Sequence, residues 1–148
     1  MNGARLRASV LRMSAARCRV LIADDNVDQL VTLSMLLESE GFDVVALAHA
    51  EEIVATAKQV EPHVYLLDIG MPRCNGYEVA AKLRELFGSA PFLIAVTAYA
   101  TPADRERAYR AGFDKHLAKP FLTEELLACM RDYTLSRAFC RSFPDAPS

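Results

Sequence analysis

A chain of 148 residues is long enough for one domain with a substantial core and too short for two ordinary ones. Its 17 Lys and Arg against 19 Asp and Glu leave a formal net charge of -2, so nothing in the totals points to nucleic acid or an anionic membrane, and specificity must come from a local site. Cys18, Cys74, Cys129 and Cys140 form no Cys-x-x-Cys pair and have no nearby His at metal-ligand spacing, which predicts reduced thiols in a cytoplasmic protein.

Residues 1–17 are basic and rich in small side chains, with an apolar centre too broken by arginine for a secretory signal. They read as an extension, either loosely structured or an amphipathic helix, before a domain over 18–134 and a tail over 135–148. RVLIA, from Arg19 to Ala23, predicts a strand that ends at Asp24-Asp25. Val27, Leu30, Val31, Ser34 and Leu37 then fall at helical spacing, with Gly41 closing the helix. A second strand fits Asp43 to Leu47, and a second helix, marked by Ile53, Val54, Ala57 and Val60, stops before Pro62. Val64 to Leu67 predicts a third strand, followed by turns at Met71-Pro72 and Asn75-Gly76 and a helical face of Val79, Ala80, Leu83 and Phe87.

The fourth strand is FLIAV, from Phe92 to Val96; the whole apolar stretch APFLIAVTAYA is well short of the ~18 residues of a membrane span. In the next helix Thr101 suits the cap, Pro102 the first position, Asp104 the first turn and Gly112 the end. KHLA, from Lys115 to Ala118, predicts a short fifth strand before Lys119-Pro120, and Thr123, Glu124 and Glu125 open a last helix through Leu126, Leu127 and Met130. Strand–helix units with short connections predict an α/β fold, a doubly wound, flavodoxin-like five-stranded parallel sheet of order 2-1-3-4-5 with five helices.

In such sheets ligands sit beyond the carboxyl ends of the strands. Asp24 and Asp25 stand after the first strand, Asp68 after the third, Thr97 after the fourth and Lys119 after the fifth. Each has an ordinary reading by itself: the acidic residues as helix caps, Thr97 as a strand residue, Lys119 as a solvated side chain. Together they set three carboxylates against one ammonium, a surplus of negative charge that a divalent cation resolves. Oxygen-only ligands favour Mg2+ over zinc, and a phosphoryl group fits between the cation, Lys119 and the Thr97 hydroxyl while an Asp oxygen attacks it.

VLIADDN, LLDIGMPRCNGYEV, VTAYA and HLAKPF together resemble the receiver domain of two-component response regulators, especially receivers of hybrid sensor histidine kinases, from about Cys18 to Met130. The resemblance implies that Asp68 is the phosphoacceptor in a phosphorelay. It further implies that Asp25 and Asp68 bind Mg2+ directly, with the Gly70 carbonyl as third protein ligand and Asp24 acting through water. Thr97 and Lys119 would meet phosphoryl oxygens, Thr97 moving as a switch, and the peptide before Pro120 would be cis. The implied partner is a sensor histidine kinase or histidine phosphotransfer protein, with a downstream protein on the face of the fourth helix, fifth strand and last helix.

Two positions depart from the family pattern. His116 stands where Tyr or Phe is the usual moving switch, and Gly70, two residues after Asp68, has no side chain to shield a phosphoryl group, although Tyr99 is placed to overhang the site. Val27 and Leu30 read as core or as part of a docking patch, and the arginines of DRERAYR as a solvated face or a partner surface. An aspartyl phosphatase of the haloacid dehalogenase type would want an acid at position 70; a phosphate-independent adaptor would not need the acidic set. After Met130 the remaining residues are too few for a DNA-binding effector, so neither nucleic acid nor membrane is an expected partner.

Overall fold

Parallel neighbours cannot be joined by tight turns, so each strand is followed by a covering helix. The computed structural model describes residues 18–98 and 101–142, those from 136 onward through the backbone alone. The expectations for residues 1–17, Tyr99, the Cys140 thiol and the end of the tail therefore fall outside the described residues. Strands β1 (Arg19–Ala23), β2 (Asp43–Leu47), β3 (Val64–Asp68), β4 (Phe92–Thr97) and β5 (Lys115–Ala118) form one parallel sheet in the order β2-β1-β3-β4-β5. The helices are α1 (Val27–Ser39), α2 (Ile53–Val60), α3 (Gly76–Phe87), α4 (Pro102–Ala111) and α5 (Thr123–Ser142), with one 3-10 turn at Ala50–Glu52.

Alternate residues along the strands feed two cores, which is why the strands read as continuous apolar runs. Leu21, Tyr65, Leu67, Leu93 and Ala95 pack with Ile53, Ala57, Leu83 and Ala108 from α2, α3 and α4. Val20, Ile22, Leu66, Ile94 and Val96 face the opposite way, toward Leu30, Leu33, Leu37, Leu126 and Met130 of α1 and α5.

Asn26, not either aspartate, caps α1 by accepting the Gln29 N–H at 3.1 Å. Asn75, expected in a turn, caps α3 through the Tyr77 N–H at 3.0 Å, and the helix begins at Gly76. A Cβ at Gly76 would lie 2.8 Å from the Ile69 Cα, so glycine lets α3 start close against the loop that leaves Asp68. α5 runs past Met130 and through the expected 134/135 boundary. Its apolar face thins there, with Tyr133 only half-buried and Leu135 exposed, so periodicity stopped reporting the helix before its backbone ended.

At the amino-terminal edge of the sheet, Arg84 of α3 gathers several chain ends. It donates to the Gly112 carbonyl at 2.9 and 2.7 Å, to Pro91 at 2.6 Å, to Gly88 at 3.1 Å and to Asp114 at 2.8 Å. Asp114 also accepts the Leu93 N–H at 2.9 Å, so one guanidinium ties the ends of α3 and α4 to the start of β4. Among the described residues, no helix is long and apolar enough to cross a membrane. Arg84→Met is expected to lower the urea unfolding free energy by about 2–3 kcal/mol, because part-buried carbonyls lose their donors. Arg84→Lys should recover less than half of that, since an ammonium cannot reproduce the planar fork.

Candidate functional site

The sheet places the predicted polar residues along one edge. Asp68 is the last residue of β3, paired with Val96, and Ile69 N–H donates to the Val96 carbonyl at 2.9 Å, so the ladder continues past the carboxylate and fixes its position. Thr97 ends β4 opposite Ala118, and Lys119 N–H donates to the Thr97 carbonyl at 2.8 Å. Lys119 is thereby held to the sheet although β5 has ended. Asp24 follows β1, its N–H bonded to the Leu47 carbonyl at 3.1 Å and its Oδ1 accepting the Asn26 N–H at 2.9 Å.

From these anchors the side chains converge. Lys119 Nζ lies 3.2 Å from Asp24 Oδ2 and 3.1 Å from Asp68 Oδ2. Asp68 Oδ1 accepts the Gly70 N–H at 2.9 Å. One oxygen from each of Asp24, Asp25 and Asp68 lies within 4.8 Å of the others. An all-oxygen donor set of this kind suits a hard cation such as Mg2+. Thr97 is buried beside them, Asp25 and Gly70 are exposed, and the Lys119–Pro120 peptide is cis.

Burial is the main reason the Asp24 carboxyl sits above its ordinary pKa; the nearby Asp68 adds to this, while the Asn26 N–H and Lys119 pull it down. Burial alone would lower Lys119, but its hydrogen bonds and charge interactions with Asp68 and Asp24 outweigh burial and hold it above the usual lysine value. The arrangement is one ammonium facing two enclosed carboxylates, with a third at the rim.

Two features of the site were not singled out in the sequence. Asn26 closes the turn after β1 onto Asp24, and the Asp-x-Asn spacing is its signal. On α1, Leu30 is core, whereas Val27, Val31 and Met35 are each more than half exposed and form an apolar stripe leading away from the acidic turn. Their spacing of four residues from Val27 is the legible signal, and it separates this stripe from Leu30, which belongs to the core.

Residues 20–131 match the response regulator receiver domain family, and the chain belongs to that family. Its members are phosphoacceptors in two-component signalling; they act as signalling modules, bind Mg2+ at an acidic cluster and interact with histidine kinases or phosphotransfer proteins. The chain is 34% identical over 110 residues to the transcriptional regulatory protein PrrA of Mycobacterium tuberculosis, covering 74% of this chain and 47% of PrrA. It is 30% identical over 125 residues to hybrid signal transduction histidine kinase C of Dictyostelium discoideum, covering 80% of this chain and 10% of that kinase. The crystal structure of a CheY-like receiver domain protein from Methanospirillum hungatei superposes with a TM-score of 0.76 at 29% identity, covering 82% of this chain and 96% of the other.

Lys119→Met is expected to destabilise the protein at neutral pH by about 3 kcal/mol in chemical unfolding, because enclosed carboxylates lose their counter-charge. A carboxyl whose pKa is raised by folding binds its proton more tightly in the native state, so its penalty is present above the folded pKa and fades as pH falls through it. The deficit of the variant should therefore shrink as the solution is acidified and Asp24 takes up a proton.

Proposed function

We propose that Asp68 is the residue that accepts the phosphoryl group. The observation that carries this is the division of labour among the carboxylates. The Asp24 side chain is 4% exposed and Asp25 stands at the rim; the Asp68 side chain, 10% exposed, combines contact with the Lys119 ammonium with a place beside the exposed Gly70. An Asp68 oxygen attacks the phosphorus of a phosphohistidine, the P–N bond breaks, and the electron pair leaves with the imidazole as an acyl phosphate forms. Lys119, released from part of its contact with Asp68, pairs with a phosphoryl oxygen, and the Thr97 hydroxyl donates to another.

Asp25, Asp68 and the Gly70 carbonyl would hold Mg2+ directly, with Asp24 through water; when bound, the cation supplies neutralisation of the phosphoryl oxygens. Hydrolysis reverses the gain by attack of water on the acyl phosphate. Gly70 leaves that approach open: a Cβ there would stand in van der Waals contact with Asp68 Oδ1, at 3.6 Å, and glycine leaves the space bare. The same glycine argues against a haloacid dehalogenase-type phosphatase, whose general acid would stand at this position.

The phosphodonor, a sensor histidine kinase or histidine phosphotransfer protein in the cytoplasm, docks on the exposed stripe of Val27, Val31 and Met35, which starts beside the acidic turn. The downstream partner reads the face of α4, β5 and α5. In support, α4 buries only Ala108 and presents an exposed Tyr109 among charged residues, including the Glu106–Arg110 pair.

Acetyl phosphate with Mg2+ should add one phosphoryl group to the chain, and both Asp68→Asn and chelation of the metal should abolish the gain in intact mass. Unchanged labelling of the Asp68→Asn variant would remove Asp68 from the mechanism. The double substitution Val31→Asp and Met35→Asp should slow transfer from a phosphohistidine protein by about ten-fold or more, the loss expected when a charge is set in an apolar contact. It should leave labelling by acetyl phosphate intact, as followed by a phosphotransfer time course.

A further inference from the structure

His116 is held in β5 in a way that an ordinary strand histidine is not. Both ring nitrogens are shut off from solvent, and among the described residues neither has a hydrogen-bond partner. A buried polar group left in that state is unfavourable, so the seat holds the imidazole against its own bonding preference. The pairing register sets His116 opposite Ala95, one pleat before the Thr97–Ala118 pair. Ala95 belongs to the core under α2, α3 and α4, whereas Leu117 belongs to the core under α1 and α5. By strand alternation His116 and Thr97 therefore share the face that α4 covers.

The charged groups acting on the ring are Asp104 and Arg105 of α4. On its own strand, Lys115 is turned to Asp132 of α5 on the opposite face, and beyond the strand Lys119 is engaged with Asp24 and Asp68. β4, FLIAVT, carries no charge. α4 rests on its core through two small side chains, Ala108 buried and Ala111 partly buried, so little apolar contact opposes its displacement.

We propose that His116 is a proton-operated switch beneath α4: the neutral ring keeps its buried seat near Thr97, and the imidazolium leaves it for solvent and Asp104, so that protons and the phosphoryl group oppose one another. This rests on the reading of Thr97 as the hydroxyl that meets the phosphoryl group. When Thr97 is drawn toward Asp68 it vacates volume on the face it shares with His116, and a neutral ring can fill that volume. A charged ring cannot, because among the described residues the seat offers it no acceptor, and Arg105 is nearby. Burial, reinforced by Arg105 and partly opposed by Asp104, already pushes the ring below the ordinary histidine value. The seated form is thus favoured above that value and lost as pH falls, and by linkage a ligand that favours the seat must lower the ring pKa further.

The test follows the His116 ring nitrogens by NMR in the full chain, with and without Mg2+ and beryllofluoride, and measures beryllofluoride affinity between about pH 7.5 and about pH 5.5. The ring is expected to titrate below the free-histidine value and lower still with the phosphoryl mimic bound. Wild-type affinity should fall on acidification by more than that of His116→Phe or His116→Gln, the excess approaching about ten-fold for each unit by which the mimic lowers the ring pKa once the pH is below both ring values. Protonation of the acidic cluster is common to all three proteins and cancels in that comparison. A ring that titrates at or above the ordinary value, or parallel pH profiles for wild type and both variants, overturns the proposal alone. Absence of mimic binding at every pH overturns the phosphoacceptor reading and the antagonism with it.

Discussion

A single ammonium group, Lys119 Nζ, stands 3.2 Å from Asp24 and 3.1 Å from Asp68, and holding it there constrains most of the fold. The three side chains come from the ends of β1, β3 and β5, far apart in sequence, and no local turn could bring them together. A parallel sheet does so because all its strands end at one edge. That sheet in turn needs an apolar core on each face, supplied by α2, α3 and α4 on one side and α1 and α5 on the other. The clamp at Arg84 works at the far edge, so the end of the molecule that makes no chemistry carries the rigid fastenings.

The charge at the near edge is left uneven. One ammonium faces Asp24, Asp25 and Asp68, and burial already works against ionised Asp24. A site in that state favours a hard cation, and once a cation is present the same edge favours a phosphoryl group that shares it with Lys119. The chemistry asks for positioning and neutralisation more than for proton transfer, in keeping with a family of signalling modules. Beside this centre lie the two features to which the proposals assign timing and output: the bare flank at Gly70, and the imidazole of His116 under α4, which has no hydrogen-bond partner among the described residues.

Much of this was legible in the sequence because parallel strands buried on both faces leave continuous apolar runs, and β1, β2 and β5 begin and end where those runs do. The site residues were legible as polar residues standing where each run stops. Less was visible where backbone geometry, not side-chain pattern, decides. Asn75-Gly76 looks like a turn, yet Asn75 caps a helix and Gly76 is needed for its close approach to Ile69. The end of α5 lies where its apolar face fades, and the fate of Val27 and Leu30 depended on which way α1 is rolled on the sheet. Periodicity defines a face, but only packing says which of two adjacent stripes is covered.

The central claim is that, of the three clustered carboxylates, Asp68 takes the phosphoryl group. Borohydride reduction of the phosphorylated chain converts an aspartyl phosphate to homoserine and marks its position permanently. Peptide mass spectrometry after such treatment should find homoserine at position 68 and nowhere else. Homoserine at position 24 or 25, or a phosphorylated chain that yields none, would contradict the account.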